Sequence, residues 1–553
     1  MPKTTATENG TPTPTTQAGN PSDVVSVAAP ATPSGIDNTQ TGGAVQTDAG
    51  NSVATGNSVA TLPEVQPQDL KQIVRFKSIG QPPSIPLLLL ELLKPFLASD
   101  GKVYIDLPNT ANDCVALITG LLGKKTIQTE AIRNGQMLRK QQVDEVVHFL
   151  QVHAGLDGDA KSVHYRVATY GNGVEIDLGD AMHTRVRITP GKVEIIESGS
   201  QTRIYRTTSM KAMAYPARVG NLKKLRKFLN VDDMTFLLIV GWLSYTLLHP
   251  KDANAKYLIL VILGGNGSGK SFLCKVLMAL LDPRTVGVQP LPTNGKDLAV
   301  AMQSAFLNVF DNARAVPDWL SDLLCICSTG GFITARALFT DADQQVINLH
   351  GPLIMNAIGA LLDQQDSIQR SLQVRTVPMD EVNRKSELDL MQEFESDLPE
   401  ILRGLFDLMA GVLLHLPNAK VTNPERMYDF CKHLAAMEML DSVPAGIYQG
   451  AYSLNLREGQ RDGLMDNLLA ATVLEFAQAL TDTWSGTPTE LLTALNNSVP
   501  HATARSRQWP DNAISLSKRL QHLQAGLGTQ GVRIAFVRGK QRGITIDYSG
   551  AEK

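Results

Sequence analysis

One stretch constrains this chain more than any other: Tyr257 to Leu281, YLILVILGGNGSGKSFLCKVLMALL. Tyr257–Leu263 is an unbroken apolar run of strand length, the pattern of a strand buried on both faces. Phe272–Leu281 is apolar at helical spacing. Between them Gly264, Gly265, Asn266, Gly267, Ser268, Gly269, Lys270 and Ser271 satisfy G-x-x-x-x-G-K-[ST] at every fixed position. Glycines let successive main-chain N–H groups turn inward around a phosphate, and a helix N-terminus adds partial positive charge at the same place. Lys270 suits the β- and γ-phosphates and the Ser271 hydroxyl suits Mg²⁺. A Gly-rich turn can arise by chance, but strand, loop and helix together favour a phosphate-binding element.

The 553 residues carry a net charge of only −3, so several domains are expected and any contact with nucleic acid must come from local basic patches. The five cysteines, Cys114, Cys274, Cys325, Cys327 and Cys431, are scattered and odd in number, which suits a reducing cytosol. Cys325-x-Cys327 has no matching Cys/His pair nearby and reads as buried packing rather than a zinc site. The apolar runs Ile85–Leu97 and Met234–Leu248 are too short to span a bilayer, and the N-terminus has no basic-then-apolar signal pattern. A cytoplasmic protein without membrane association is expected.

Residues 1–65 are rich in Thr, Pro, Gly, Ser, Ala and Asn and contain a tandem GNSVAT at Gly50–Thr61. With few large apolar groups to offset the entropy of ordering, this segment is expected to be a disordered tail, read as passive rather than as a tether for a partner. Residues 66–230 read as an α+β domain. Helical patterns cover Pro86–Ala98, Thr110–Leu122 and Gln141–Ala154. The period then changes to two: Val163–Tyr170 and Val174–Leu178 flank Gly171-Asn172-Gly173, and Thr184–Ile188 and Val193–Ser198 flank Pro190-Gly191, an antiparallel meander. Asp157-Gly158-Asp159 lies in a Gly-rich turn and reads as a loop rather than a catalytic centre. Leu222–Lys227 is a small basic helix whose default reading is a solvated face.

After the phosphate loop, Ala305–Phe310 is a second buried strand that delivers Asp311, followed by Asn312. Ile333–Leu349 has the pattern of a hairpin turning near Asp341-Ala342-Asp343. Leu353–Met355 is a strand that delivers Asn356, and Leu372–Val377 is another, just behind Arg370. These elements, GGNGSGKS, FLNVFDN (Phe306–Asn312), GGFITARALFTD (Gly330–Asp341), PLIMNAI (Pro352–Ile358) and DSIQRSLQVRTVP (Asp366–Pro378), resemble in order and content the superfamily 3-type helicase ATPases of the AAA+ class. The likeness is greatest to the helicase part of phage- and poxvirus-type primase-helicases, and it spans roughly Phe228 to Pro378. It implies ATP and Mg²⁺ as cofactors, held by Gly264–Ser271 and Asp311. It implies catalytic roles for Lys270, Asp311, Asn312, Asn356 as sensor 1, and Arg370 as a finger reaching a neighbouring subunit. It also implies a ring, expected to be a hexamer, acting on DNA in the replication of a phage or mobile element inside a bacterial or infected cell. Two departures stand out: Asn312 occupies the usual glutamate position, and the hairpin turn is acidic where translocating hairpins are usually basic. Arg336, on that hairpin, is counted among the DNA-contacting residues.

Glu387–Leu416, Pro424–Leu440 and Asp466–Asp482 read as helices. Thr487-Pro488-Thr489-Glu490 is a helix start. Asn512–Gln524 is an amphipathic helix with Lys518 and Arg519, and the strands Val532–Val537 and Gly543–Asp547 flank Arg538, Lys540 and Arg542. Two helices followed by a basic hairpin resemble a winged helix, with Lys518, Arg519, Arg538, Lys540 and Arg542 placed against DNA phosphates. The expected fold is therefore α/β: a P-loop AAA+ three-layer αβα core at 231–385, preceded by the α+β domain and followed by a helical region at 386–482 and a winged-helix domain at 483–553. The expected activity is an ATP-dependent DNA motor; the alternative is a nucleotide-gated DNA-binding or loading protein that does not unwind.

Overall fold

In the computed structural model, residues 84–156, 159–251, 256–336, 344–378, 386–506, 509–537 and 543–550 are described. The 1–65 tail, Asp341, Asp343, Asp157-Gly158, Arg538, Lys540 and Arg542 lie outside them.

The amino-terminal part opens with α1 (Ile85–Leu93), β1 (Phe96–Leu97), β2 (Val103–Asp106), β3 (Cys114–Leu117), α2 (Leu121–Arg133) and α3 (Lys140–Ala154). Two expectations are corrected here. The helix expected over Pro86–Ala98 stops at Leu93, with Lys94 in the left-handed region at φ 41° and Phe96–Leu97 already pairing with β2. The helix expected over Thr110–Leu122 is a strand followed by a helix. Cys114–Leu117 pairs with β2, and Asn112 anchors the segment by donating to His183 O and Ile196 O, tertiary bonds that helical periodicity does not encode.

The meander is present: β4 (Val167–Tyr170), β5 (Gly173–Asp177), β6 (Arg185–Thr189) and β7 (Lys192–Ile196) are antiparallel neighbours in sequence order. β8 (Ile204–Tyr205) returns to pair with β3. The segment Leu222–Phe228 is a 3₁₀ helix whose basic residues lie at the surface, Lys223 and Lys227 exposed, with three of them in surface ion pairs. Lys224 pairs with Asp397 and Glu400, Lys227 with Glu393 and Asp397, and Arg226 with Asp233.

After α4 (Asp233–Leu247) come β9 (Ile259–Leu263), α5 (Lys270–Leu281), β10 (Gln289–Pro290), α6 (Gly295–Ser304), β11 (Asn308–Ala313), α7 (Asp318–Thr329), the hairpin β12 (Phe332–Arg336) and β13 (Gln344–Asn348), β14 (Leu353–Ala357), α8 (Gln365–Ile368) and β15 (Ser371–Arg375). Five of these strands form one all-parallel sheet in the order β10-β11-β14-β9-β15. Helices cover both faces. Leu260 and Ile262 face a core shared with α4, α5 and the meander, whereas Ile259, Val261 and Leu263 face α6 and α7. A parallel sheet needs such double cover, which is why its strands read as unbroken apolar runs.

Four helices follow: α9 (Glu387–His415), α10 (Tyr428–Leu440), α11 (Ile447–Asp466) and α12 (Leu468–Gln478). The largest core passes from the meander through the parallel sheet into α9, α10 and α11, across the boundaries drawn from sequence at 230 and 385. α11, which the sequence reading did not single out, lies along the open edge of β15. The Asn455 side chain bonds both main-chain groups of Gln373, as a neighbouring strand would. Gly459 and Gly463 permit the approach: an added Cβ would lie 2.5 Å from Gln373 Nε2 and 2.7 Å from Leu362 O. The exposed edge is thereby covered.

The last part comprises β16 (Trp484–Gly486), α13 (Pro488–Ser498), α14 (His501–Ala504), α15 (Ala513–Thr529), β17 (Val532–Val537) and β18 (Gly543–Tyr548). The strands form an antiparallel sheet in the order β16-β18-β17. Thr487 and Glu490 form the expected capping box, and Asn512 caps α15. Among the described residues, no helix is long and apolar enough to cross a membrane.

Candidate functional site

The loop from Gly264 to Gly269 joins the carboxyl end of β9, between β14 and the edge strand β15, to α5; the carboxyl ends of the strands are where parallel sheets place ligands. Gly267 and Gly269 have φ of 71° and 88°, a conformation that side-chain-bearing residues rarely adopt. Lys270 opens α5, and its ammonium donates to Gly264 O at 2.9 Å and Gly265 O at 2.8 Å. Desolvation lowers the pKa of Lys270, opposed by the negative charge of Asp311. Ser271 Oγ donates to the Asp311 carboxylate at 3.1 Å. A hydroxyl and a carboxylate, both hard oxygen donors, so meet beside the loop, and this pair fits a magnesium ion.

Asp311 ends the regular part of β11. The register against β14 slips between Phe310 and Ala313, a β-bulge centred on Asn312, whose φ is 57°. Asn tolerates this left-handed conformation better than Glu does, which gives a local reason for the departure noted in the sequence. The N–H of Asn312 donates to Asn356 Oδ1 at 2.8 Å, and Asn356 Nδ2 donates to Cys274 Sγ on α5 at 3.3 Å. Burial pushes the Cys274 thiol up to about 12, so it is a neutral packing group. The structure thus brings Lys270, Ser271, Asp311, Asn312 and Asn356 together across β9, β11 and β14.

Arg370 stands apart from them. Ser371 pairs with Ile259 and Arg375 with Leu263, so Arg370 precedes the amino end of β15 while the loop follows the carboxyl end of β9. The two are about 16 Å apart, one strand length. The Arg370 guanidinium is buried, ion-paired with Asp366 and bonded to Asp366 O at 3.0 Å and Cys325 Sγ at 3.5 Å, with Nε unpartnered. Asp366 also pairs with Arg426 at 2.6 Å. Burial pushes the Asp366 carboxyl up, but the hydrogen bonds from Arg370 and Cys325 and the charges of both arginines hold it below the usual range.

The residues expected to contact DNA are not brought to one surface by what is described. Arg336 is placed by its backbone only, at the end of β12 opposite Gln344. Lys518 is exposed on α15, whereas Arg519 lines a cleft of 460 Å³ against the core with Arg314, Leu361, Asp363 and Asp466. Among the described residues no group of three or more His, Cys, Asp or Glu could hold a metal.

The sequence reading missed residues that hold the core around the site and the loop itself. Asp282, at the end of α5, accepts the N–H groups of Phe306 and Leu307 at 3.1 and 3.2 Å and the buried Arg166 of the meander at 3.0 Å. Thr376 and Asn230 touch the loop from below. Thr376 falls inside a stretch already singled out, but Asn230 and Asp282 carry no local signal.

Residues 219–456 match the family model described as the actinomycete integrative conjugative element replication protein, and residues 469–552 match that of the AICE RepA C-terminal domain. No curated protein matches the chain. Among solved structures, the apo NrS-1 C-terminal region is 12% identical with a TM-score of 0.34, covering 84% of this chain and 98% of its own. The JCV helicase is 16% identical with a TM-score of 0.20, covering 43% of this chain and 66% of its own.

Proposed function

We propose that this replication protein, matched over two consecutive regions by the models for actinomycete integrative conjugative elements, is an ATP-dependent DNA motor of the superfamily 3 type. In this reading the parallel sheet is a P-loop AAA+ core and the carboxyl-terminal helices and sheet are a winged helix. The observation that carries the reading is the meeting of Ser271 and Asp311 at 3.1 Å beside a loop whose Lys270 turns its ammonium onto the loop's own carbonyls. Loop N–H groups and Lys270 would bind the β- and γ-phosphates, and Ser271 and Asp311 would hold Mg²⁺. The ion, when bound, neutralises charge on the phosphates. Asn356 keeps the Asp311–Asn312 turn in shape. Arg370, a strand length from its own loop and paired with Asp366, would act on a neighbouring subunit's phosphates in this reading, which then calls for a ring, with a hexamer as the expected form.

The test is ATP hydrolysis measured with and without single-stranded DNA. Turnover that needs Mg²⁺, rises with DNA and vanishes in Lys270→Ala is expected; turnover that survives Lys270→Ala overturns the site. The second reading, a nucleotide-gated loader that does not unwind, is favoured by Asn312 at the position of the usual base. A directional strand-displacement assay separates the two.

A further inference from the structure

Thr376 lies one residue beyond β15. Its N–H donates to Leu263 O at 2.9 Å, so the pairing with β9 runs on to the last residue before the loop. Its hydroxyl lies 3.2 Å from that carbonyl and donates to Ser268 Oγ at 2.7 Å. Ser268 Oγ donates in turn to Gly265 O at 2.8 Å. Both hydroxyls are buried, Thr376 at 8% exposure and Ser268 at 4%. They press on the bare α-carbon of Gly264, where an added Cβ would lie 1.9 Å from Thr376 Oγ1 and 2.7 Å from Ser268 Oγ. The loop is fastened a second time by Asn230, whose side-chain nitrogen donates to Ser268 O at 3.2 Å and Val377 O at 2.6 Å.

We propose that Thr376 is the positioning residue of the phosphate loop: its hydroxyl, acting through Ser268, holds the loop in the form that accepts a triphosphate. The physical reason is entropic and directional. A loop with glycines at four of its first six positions has many conformations, and each one lost before binding need not be lost on binding. The chain Thr376–Ser268–Gly265 removes that freedom from beneath, while the upper face of the loop keeps its N–H groups for the ligand. The Thr376 hydroxyl is buried against Leu263 O and Ser268 Oγ and acts through the loop, so its substitution is expected to change affinity rather than the chemical step.

The proposal rests on the nucleotide reading above. The experiment is equilibrium binding of a fluorescent ATP analogue by the full chain, with and without Mg²⁺, alongside turnover and a thermal melt. Thr376→Val keeps the shape and removes the hydroxyl. It should weaken binding roughly fivefold, the worth of one lost hydrogen bond, raise KM in parallel and leave kcat within about twofold. Thr376→Ser should restore affinity. Ser268→Ala breaks the same chain from the loop side and should give the same loss. The double variant should be no worse than either single one, because both cut one chain. Wild-type affinity in Thr376→Val, or additive losses in the double variant, overturns the proposal. If Thr376→Val does not fold, Ser268→Ala decides: a similar loss supports the proposal and wild-type affinity overturns it. A wild-type chain that binds no ATP overturns the nucleotide reading and the proposal with it, whereas binding indifferent to both hydroxyls overturns the proposal alone.

Discussion

The main-chain N–H of Asn312 donates to the side-chain oxygen of Asn356 at 2.8 Å, joining the strand that carries Asp311 to its neighbour across a β-bulge. One amide side chain therefore sets the direction in which Asp311 faces Ser271. The same amide reaches Cys274 on the helix that begins with Lys270, so three elements of the site meet at a single buried asparagine.

The left-handed backbone at Asn312 makes substitution there a test of conformation as well as chemistry. Asn312→Gly should melt close to wild type. Asn312→Glu, the residue usual in the family resembled, should be destabilised by about 1 kcal/mol because its backbone is strained at φ 57°. Thermal melts decide this, and turnover in the same samples shows whether a carboxylate gains rate despite the strain.

Asp282 should be among the costliest residues to lose. Its removal leaves the fully buried charge of Arg166 with carbonyl partners only and strips two N–H groups, of Phe306 and Leu307, of their acceptor. Asp282→Ala should lower stability by about 3–5 kcal/mol in a denaturant titration. Replacing both partners by apolar residues of similar size should cost less than the single change.

Arg370→Ala should bind ATP with near wild-type affinity and hydrolyse it far more slowly, since a finger arginine contributes on the order of 10³–10⁵ in rate. Mixing it with Lys270→Ala should restore part of the turnover, because some interfaces then pair an intact loop with an intact Arg370. A mixture that forms rings yet stays inactive assigns Arg370 to its ion pair with Asp366 alone.

Stability should fall as the solution is acidified below about pH 6.5. His433 is fully buried, hydrogen-bonded to Ser244 at 2.8 Å, and burial lowers its pKa to about 3. The sign follows from linkage. Between the unfolded value of about 6.5 and the folded value, the unfolded chain takes up a proton that the folded chain refuses, so the native state loses ground through that window. His433→Gln, which keeps a partner for Ser244 without titrating, should show a shallower loss between pH 7 and pH 5 in urea titrations.

The sequence by itself determined the local parts. The phosphate loop, its strand and its helix are legible because each obeys its own periodicity and because glycine is needed where φ is positive. The meander is legible because Gly-containing turns separate alternating strands, and the last helices because Thr487, Glu490 and Asn512 cap them. Tertiary structure decided what depends on distant partners. The segment at Cys114–Leu117 is a strand because β2 and β8 flank it, not because of its own pattern. Lys224 and Lys227 enter surface ion pairs because α9 presents Glu393, Asp397 and Glu400 to them, while Arg226 pairs with Asp233 of α4. Arg370, noted in the sequence only for its place in a motif, lies beyond reach of its own loop because β15 runs parallel to β9. Asn312 makes sense only once the bulge places it in the left-handed region. Hydrogen bonds from Asp282, Asn356 and Thr376 reach across tens of residues, a separation at which no short-range pattern survives; folding brings their partners together, and only then do these side chains acquire a role.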